Sequence, residues 1–315
     1  MSTLVQEMIR RNNTPFCTNL VGVKSIEEGI KKANLDFEVK LHPLCTNDGI
    51  DLTSHCATVR EDKNQVLGIV SPKYQILQNT EAFKFFEPFL ENELATLETA
   101  GTLYGGKKVF ILAKLNADDM YVTPEDRIEK YILLSNSHDG SSSIRVGFTP
   151  IRVVCCNMLS FVHSNERSQL IRLNHKGNIN VTLNQLRETM DLVNQQFIAT
   201  EEQYKELAKR DVNKLDLHKY VKQVFSSKSL NEIINNYESE KEEKEKIEAE
   251  RKRLLARVEE IFDLEPVHNA WTMYNSVNYY LNHERSKNVD TRYSSLWFGP
   301  GKSLDNKALQ LAKNF

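Results

Sequence analysis

The most informative part of the sequence is YILLSNSHDGSSSIRVGF, residues 131–148. Its two ends are rich in the branched and aromatic side chains that are typical of β-strands. Between them, residues 136–140 contain an Asp-Gly pair, the strongest short signal for a β-hairpin in the chain. The stretch therefore predicts two antiparallel strands joined by a tight turn.

Two similar patterns precede this hairpin. Residues 56–60 and 66–70 flank a polar turn at 61–65, and residues 94–103 and 107–113 flank Gly105-Gly106. A Gly-Gly pair supplies the positive φ angles that a tight hairpin requires. Further expectations are a half-buried strand at 37–41, a helix at 80–90 capped by Asn79 or Thr80, a helix at 156–162 capped by Asn157, a strand at 170–175, and helices at 25–34, 181–208, 271–281 and from Ser303.

These elements predict an α+β fold in which an antiparallel, hairpin-rich sheet carries helices on one face and a helical C-terminal region follows. We expect a flexible arm over residues 1–24, an α+β core over 25–210 and a helical region over 211–315. The last region contains a charged helix at 237–262, supported by Glu–Lys pairs four residues apart. Its apolar seam is consistent with packing on a partner, on another subunit or on its own domain.

The composition is that of an ordinary globular protein, with 315 residues, a net charge of -2 and 5 cysteines. Lys and Arg outnumber Asp and Glu in residues 101–180 and 266–315, which permits a nucleic-acid-binding face without requiring one. No apolar run is long enough to span a membrane, and no signal-like segment opens the chain. We expect a cytoplasmic protein with free thiols, in which Cys155 is a buried, unreactive cysteine rather than a nucleophile.

Basic residues next to aromatic ones favour binding of a single-stranded nucleic acid. Lys73 precedes Tyr74, and Lys107 and Lys108 follow Tyr104 closely. In such sites the cations contact phosphates and the aromatic rings stack on bases. The same residues also fit lysine stems lying over tyrosines that face the core. We further expect phosphate contacts from four more basic residues: Arg145, Arg152, Arg172 and Lys176.

The turn at 138–142 has three interpretations. His138, Gly140, Ser141 and Ser142 offer backbone N–H groups and hydroxyls that suit a phosphate. The simplest interpretation, which we place first, is an ordinary hairpin connection that uses Asp-Gly for its geometry. A third interpretation makes His138 a general base oriented by Asp139, although adjacent residues rarely hold each other in the required geometry.

Many short motifs, in order along the chain, resemble the phage/plasmid-like protein family, a domain of unknown function. The resemblance implies carriage on phages, prophages and plasmids, and it brings no established activity. In outline, the hairpins and helices are similar to those of single-strand annealing proteins. The resembling positions are 67–71, Tyr74, 78–79, 98–101, 105–106, 136–141, 152–155, 157–159, 172–175, 269–271, 274–275, Tyr280, His283 and 307–309.

These observations favour a mobile-element protein of the bacterial cytoplasm that binds or anneals single-stranded DNA. We expect it to act as a homo-oligomer, with no metal, no nucleotide cofactor and no membrane association. One alternative is an interaction protein that blocks a host defence or replication component through residues 237–262. Another is an enzyme acting on nucleotides or nucleic acid, centred on His138, Asp139 and His175.

Overall fold

A computed structural model describes residues 17–142, 144–152, 157–158, 170–173, 183–226 and 241–315. The described residues form two compact units. The sheet-rich unit comprises those up to Met120, from Ile128 to Arg152 and from 170 to Gln195. The helical unit comprises Tyr121–Arg127, residues 157–158 and the described residues from Gln196 onward. The class is α+β, as the hairpin pattern predicted.

The strands are, in chain order, β1 Cys17–Asn19, β2 Val39–Cys45, β3 Asp51–Arg60, β4 Gln65–Val70, β5 Ala95–Leu103, β6 Lys108–Leu115, β7 Met120–Tyr121, β8 Arg127–Ser137, β9 Ile144–Arg152, β10 Asn157–Met158 and β11 Leu170–Leu173. In the larger sheet of the sheet-rich unit, β1-β5-β6-β8-β9-β11 are neighbours in that order, and each of these pairs is antiparallel. The smaller sheet runs β2-β3-β4, also antiparallel. All three predicted hairpins are therefore confirmed.

The helices are α1 Ile26–Lys32, α2 Asn79–Phe83, α3 Glu87–Glu91, α4 Leu183–Ala208, α5 Lys214–Val224, α6 Lys241–Asp263, α7 Ala270–Tyr279, α8 Val289–Phe298 and α9 Pro300–Ala312. A π-helix, Tyr280–Glu284, continues α7. Ser25 caps α1 by accepting the N–H of Glu28, as its capping pattern predicts. Within the described residues, no helix is both long and apolar enough to cross a membrane.

One face of the larger sheet packs against α1, and we call it the core face; the opposite face also carries buried apolar side chains such as Phe110 and Leu112. Side chains of paired residues share a face, and successive residues alternate. Ile111, Ile132 and Val146 lie on one face of β6, β8 and β9, and all three are fully buried. Helix α1 packs on this same face, because a Cβ at Gly29 would lie 3.1 Å from Cδ1 of Leu97 on β5.

Several local expectations were wrong. Residues 17–19, placed in a flexible arm, form β1 beside β5, and Cys17, Leu20 and Val23 are buried. The helix expected at 80–90 is broken into α2, a 3-10 turn at Lys84–Phe86 and α3. Its N-cap is Gln78, whose N–H is accepted by the carboxylate of Glu81.

Asn79 does not cap that helix, because its amide group is used elsewhere: it donates to the carbonyl of Leu35. Asn157, expected as the cap of another helix, lies instead in strand β10. Near the C-terminus, α9 begins at Pro300 rather than Ser303, and α8 was not expected at all. Cys155, the cysteine whose reactivity was considered, lies outside the described residues.

Candidate nucleic-acid interface

The turns of the sheet-rich unit meet at one end of the larger sheet, which we call the turn end. It consists of the loop 71–78, the turn at 104–107 and the turn at 138–142. The backbone N–H of His138 donates to the carbonyl of Lys107 at 2.8 Å. The hydroxyl of Tyr74 donates to the carbonyl of Ser137 at 3.0 Å. The fold thus brings together motifs that are far apart in the sequence.

The β5–β6 turn holds two lysines at the turn end. Gly105 and Gly106 have φ angles of +70° and +110°, the left-handed region that glycine adopts without steric cost. This chain reversal places Tyr104, Lys107 and Lys108 next to each other, all half-buried. Lys73 is exposed in the neighbouring loop. With Tyr74, five of the predicted binding residues therefore lie on this turn, at the start of β6 beside it, or on the adjacent loop.

Tyr74 is less available than its neighbours. Its side chain is half-buried, and burial together with the nearby charge of Asp139 raises the pKa of its hydroxyl to about 12. Because this hydroxyl already donates to Ser137, we assign Tyr74 a role in joining the loop to strand β8. Stacking of its ring on a base stays a prediction.

Hydrogen bonds in and beside the turn at 138–142 converge on the carboxylate of Asp139. Asp139 accepts hydrogen bonds from the Ser137 hydroxyl and from the N–H of Ser141, at 2.9 Å for the latter. Burial opposes ionisation of Asp139, but these bonds, with the charge of Lys108, outweigh it and lower its pKa. A carboxylate thus occupies the donors that a phosphate would use. Gly140 and Ser141 are exposed, and Ser142 is half-buried.

His138 is placed for packing rather than for proton transfer to a substrate. It is 1% exposed, and its Nε2 lies 2.8 Å from Oδ1 of Asn79. Its ring meets the Phe37 ring edge-on at 6.0 Å. His175, which the enzymatic interpretation also requires, lies outside the described residues. Among the described residues, no group of three His, Cys, Asp or Glu side chains is placed to hold a metal ion.

The strand register decides which basic residues share a face. Lys108 pairs with Ser137, and Arg145 pairs with Ser135, so Lys108 and Arg145 lie on the face opposite Ile111, Ile132 and Val146. Towards the middle of the strands, that face also carries the buried side chains Phe110, Leu112 and Tyr131. Lys114 lies on that face as well, and Arg172 is the β11 partner of Arg145. We call Lys108, Lys114, Arg145 and the position of Arg172 the basic face.

Two predicted residues fall elsewhere. Arg152 pairs with Ile128, which puts it on the core face of the sheet, and it is 6% exposed. A buried arginine is costly unless it is paired, so its placement indicates a structural role. Lys176 lies outside the described residues. The predicted set is therefore split between the two faces of one sheet.

One acidic residue near the basic face was missed by sequence reasoning. Glu98 is the extra residue of a β-bulge, since Leu97 pairs with Ala113 and Thr99 pairs with Leu112. It is 5% exposed, and its Oε1 has no hydrogen-bond partner among the described residues. The signal in the sequence was a glutamate in the middle of a strand whose other residues are apolar, Gly or Thr.

The neighbours of Glu98 explain its chemistry. Burial, joined by the negative charge of Glu129, raises the pKa of Glu98 to about 7, although Lys114 opposes this shift. Glu129 itself accepts from Lys114 Nζ and from the Tyr131 hydroxyl, both at 2.6 Å. A carboxyl group in a β-bulge, with a pKa raised towards neutral pH, is typical of functional sites.

The charged helix of the sequence prediction corresponds to α6 in the helical unit. Its first half is solvated, with Glu245, Lys246 and Glu248 exposed. Its second half packs inside the unit through Val258 and Phe262, both fully buried. Of the packing modes considered, the second half thus adopts the one within its own domain. Ion pairs also attach the second half of α6 to its neighbours. Glu259 pairs with Lys214 and His218, and Arg257 pairs with Glu284.

Comparison with known proteins adds a family but no activity. A family model described as a domain of unknown function, DUF932, matches residues 66–297. The match begins in β4 and ends in α8, so it includes the turn end, the basic face and most of the helical unit. No curated protein and no solved structure matches this chain.

Proposed function

The chain belongs to the DUF932 family of domains of unknown function, and we propose that it binds single-stranded nucleic acid on the basic face and the turn end. The observation that carries the proposal is the register that puts Lys108, Lys114 and Arg145 on one face of three adjacent strands. A sheet face with aligned cations can follow a flexible phosphate backbone, and nearby rings can stack on bases.

The proposed contacts differ in kind. Lys73, Lys107, Lys108 and Arg145 supply charge for phosphates, and Tyr104 supplies a ring for a base. Arg172 joins them as the register partner of Arg145. Lys114 has a shared role, since it already neutralises Glu129 at 2.6 Å. The proposal leaves out His138 and Arg152, because each is buried.

Two wider elements belong to the same proposal. The resemblance to phage/plasmid-like proteins supports carriage on mobile elements of bacteria, where a single-strand binding or annealing protein would act in recombination or replication. We also propose that the chain assembles into a homo-oligomer on the strand, because annealing requires several contacts with a long substrate.

The test is fluorescence anisotropy of the full chain with labelled single-stranded and duplex DNA, and with RNA, over a salt series. Each phosphate contact to a single strand contributes about 0.7 to the slope of log K against log salt. The double variant Lys107→Glu, Lys108→Glu should therefore bind at least tenfold more weakly and lower that slope by about 1.4.

A matched control removes the same charge on the other side of the sheet. Lys31 and Lys32 are adjacent and exposed at the end of α1, which packs on the core face. The variant Lys31→Glu, Lys32→Glu should leave affinity and slope unchanged. Equal losses in both variants, or no loss in the first, would refute the proposed surface.

One alternative retains support from a specific observation. The first half of α6 exposes Glu245, Lys246 and Glu248 as a solvated charged surface on which a host protein could dock. Two results together would favour this function. Nucleic-acid binding would fail at low salt, and a defined host replication or defence protein would be captured by the wild type but not by a charge-reversed α6 variant.

A further inference from the structure

The helical unit contains a cavity of about 490 Å³. It lies where the end of α5, the middle of α6 and the π-helix meet. Its described lining consists of the rings of Phe225 and Tyr280, the side chains of Glu250 and Leu254, and the arginines of α6 at 251, 253 and 257. A volume of this size is typical of small-molecule sites, which combine apolar walls with a few converging polar groups.

The aromatic side of the cavity is preorganised. Phe225 and Tyr280 meet edge-to-face, with ring centroids 6.1 Å apart and planes at 85°. Both side chains are half-buried, as is Leu254 beside them. Two rings at right angles offer one face and one edge to a flat group that enters between them and the leucine. The cavity therefore suits a ligand with a planar apolar part.

Three arginines line the other side of the cavity, and Arg257 is held in place by ion pairs. Arg257 donates from Nε and Nη2 to both oxygens of Glu284 at 2.7 Å, and from Nη1 to Glu260 at 2.6 Å. Arg251 and Arg253 line the cavity from two positions of α6, the first half-buried and the second exposed. Two such guanidinium groups beside a cavity favour an anionic group, above all a phosphate.

The π-helix is a second, independent indication. The N–H of Arg285 donates to the carbonyl of Tyr280 at 2.9 Å, a bond that spans five residues instead of four. Single π-turns of this kind often lie at functional sites. This one sets both the ring of Tyr280 in the cavity wall and the carboxylate of Glu284 that holds Arg257.

We propose that this cavity binds a nucleotide, with its base against Phe225 and Tyr280 and its phosphate on Arg251 and Arg253. Glu250 at the same cavity accepts a hydrogen bond from an exocyclic amino group of the base, which favours cytosine, adenine or guanine over uracil. The proposal does not depend on the basic face, since every lining residue belongs to the helical unit.

Two kinds of ligand carry such a base and phosphate: a free mononucleotide and the 5′-phosphorylated end of a strand. Isothermal titration of the full chain with CMP, AMP and UMP, with a 5′-phosphorylated dinucleotide and with inorganic phosphate separates them. We expect binding of CMP or AMP, or of the dinucleotide, and at least tenfold weaker binding of UMP and of phosphate. A preference for the dinucleotide assigns the cavity to strand ends.

Three variants test the residues. Arg251→Gln with Arg253→Gln should weaken nucleotide binding at least tenfold, and Tyr280→Leu should do so through the loss of the aromatic wall. Lys252→Gln is the matched control, since Lys252 is exposed on the same helix and does not line the cavity. The Lys107→Glu, Lys108→Glu protein should retain nucleotide binding, so that failure of the two proposals can be told apart.

The proposal is overturned if none of these ligands binds the folded chain at millimolar concentration. It is equally overturned if binding persists unchanged in the double arginine variant, or if Lys252→Gln lowers it as much. Thermal unfolding of each variant establishes that it is folded before the titration.

Discussion

Buried carboxyl groups differ in their hydrogen bonding between the two units. In the helical unit, Asp126 accepts from Nε1 of Trp271 and Asp305 accepts from Nδ2 of Asn278, each at 2.7 Å. In the sheet-rich unit, Glu98 is buried to a similar degree, but its Oε1 has no partner within the described part of the chain. Carboxylates with buried donors join segments of the fold, whereas a buried carboxyl oxygen without a donor costs stability and is retained where a function needs it.

The largest effect is expected in the helical unit, where a buried acid loses a donor. Asn278→Ala removes the amide that reaches Asp305 and opens a small cavity at a fully buried position. We expect the free energy of unfolding to fall by about 4 kcal/mol, measured by urea denaturation. Ser276→Ala is the control on the same helix, and it should cost only about 1 kcal/mol.

Ser276 is suitable because its hydroxyl donates to the carbonyl of Thr272, a neutral acceptor that keeps its helical bond. Similar losses in the two variants would mean that Asp305 does not depend on Asn278. Hydrogen bonding to buried donors would then not explain the contrast between the units.

The second-largest effect is expected at Glu98 in the sheet-rich unit, and it is a gain rather than a loss in the free energy of unfolding. The variant Glu98→Gln removes the carboxyl group. In the wild type, burial raises the pKa of this group from 4.5 to about 7. A raised pKa means that the folded chain holds its proton where the unfolded chain has lost it, so wild-type stability falls as pH rises from 4.5 through 7. We expect the variant to be more stable than wild type by up to about 3 kcal/mol at pH 8.

At pH 4 both side chains are largely neutral in either state, so Glu98→Gln and wild type should unfold at similar urea concentrations. A pH-independent difference between them would show that the Glu98 carboxyl is not desolvated. Glu129→Gln gives a useful comparison, since it removes an acid that is already bonded by Lys114 and Tyr131. That variant should lose stability at pH 8.

Sequence reasoning predicted the sheet well because hairpins are local. The Asp-Gly and Gly-Gly turns and the apolar runs beside them set the pairs β5–β6 and β8–β9 without reference to the rest of the chain. It missed β1, since three residues have no recognisable period and owe their conformation to the edge of β5. It also missed α8, although Val289, Tyr293, Leu296 and Trp297 follow the spacing of one helical face and the last three are buried.

The candidate site shows the same division between local and tertiary information. The neighbours Tyr104, Lys107 and Lys108 were found because they are close in the sequence. No local pattern indicates that Arg152 falls on the core face, because that depends on its register with Ile128. Glu98 was missed because its importance arises from a bulge and from Glu129 on another strand.

The smallest expected effect separates two acids within the sheet-rich unit. Burial opposes ionisation of Asp139, but hydrogen bonds from Ser137 and Ser141, with the charge of Lys108, outweigh it and lower the pKa from 3.8. A lowered pKa stabilises the fold above the unfolded value and loses that contribution as pH falls below it. Asp139→Asn should therefore cost about 1 kcal/mol at pH 7 and less at pH 3.

Asp48→Asn provides the control for Asp139→Asn, because it makes the same change of charge in an exposed loop and should leave the unfolding curve unchanged at either pH. Asp139 and Glu98 thus predict opposite pH dependences in one unit. Relative to wild type, Asp139→Asn loses stability as pH rises, while Glu98→Gln gains it. If both differences changed in the same direction, net charge rather than local bonding would control them, and the distinction between partnered and unpartnered acids would not hold.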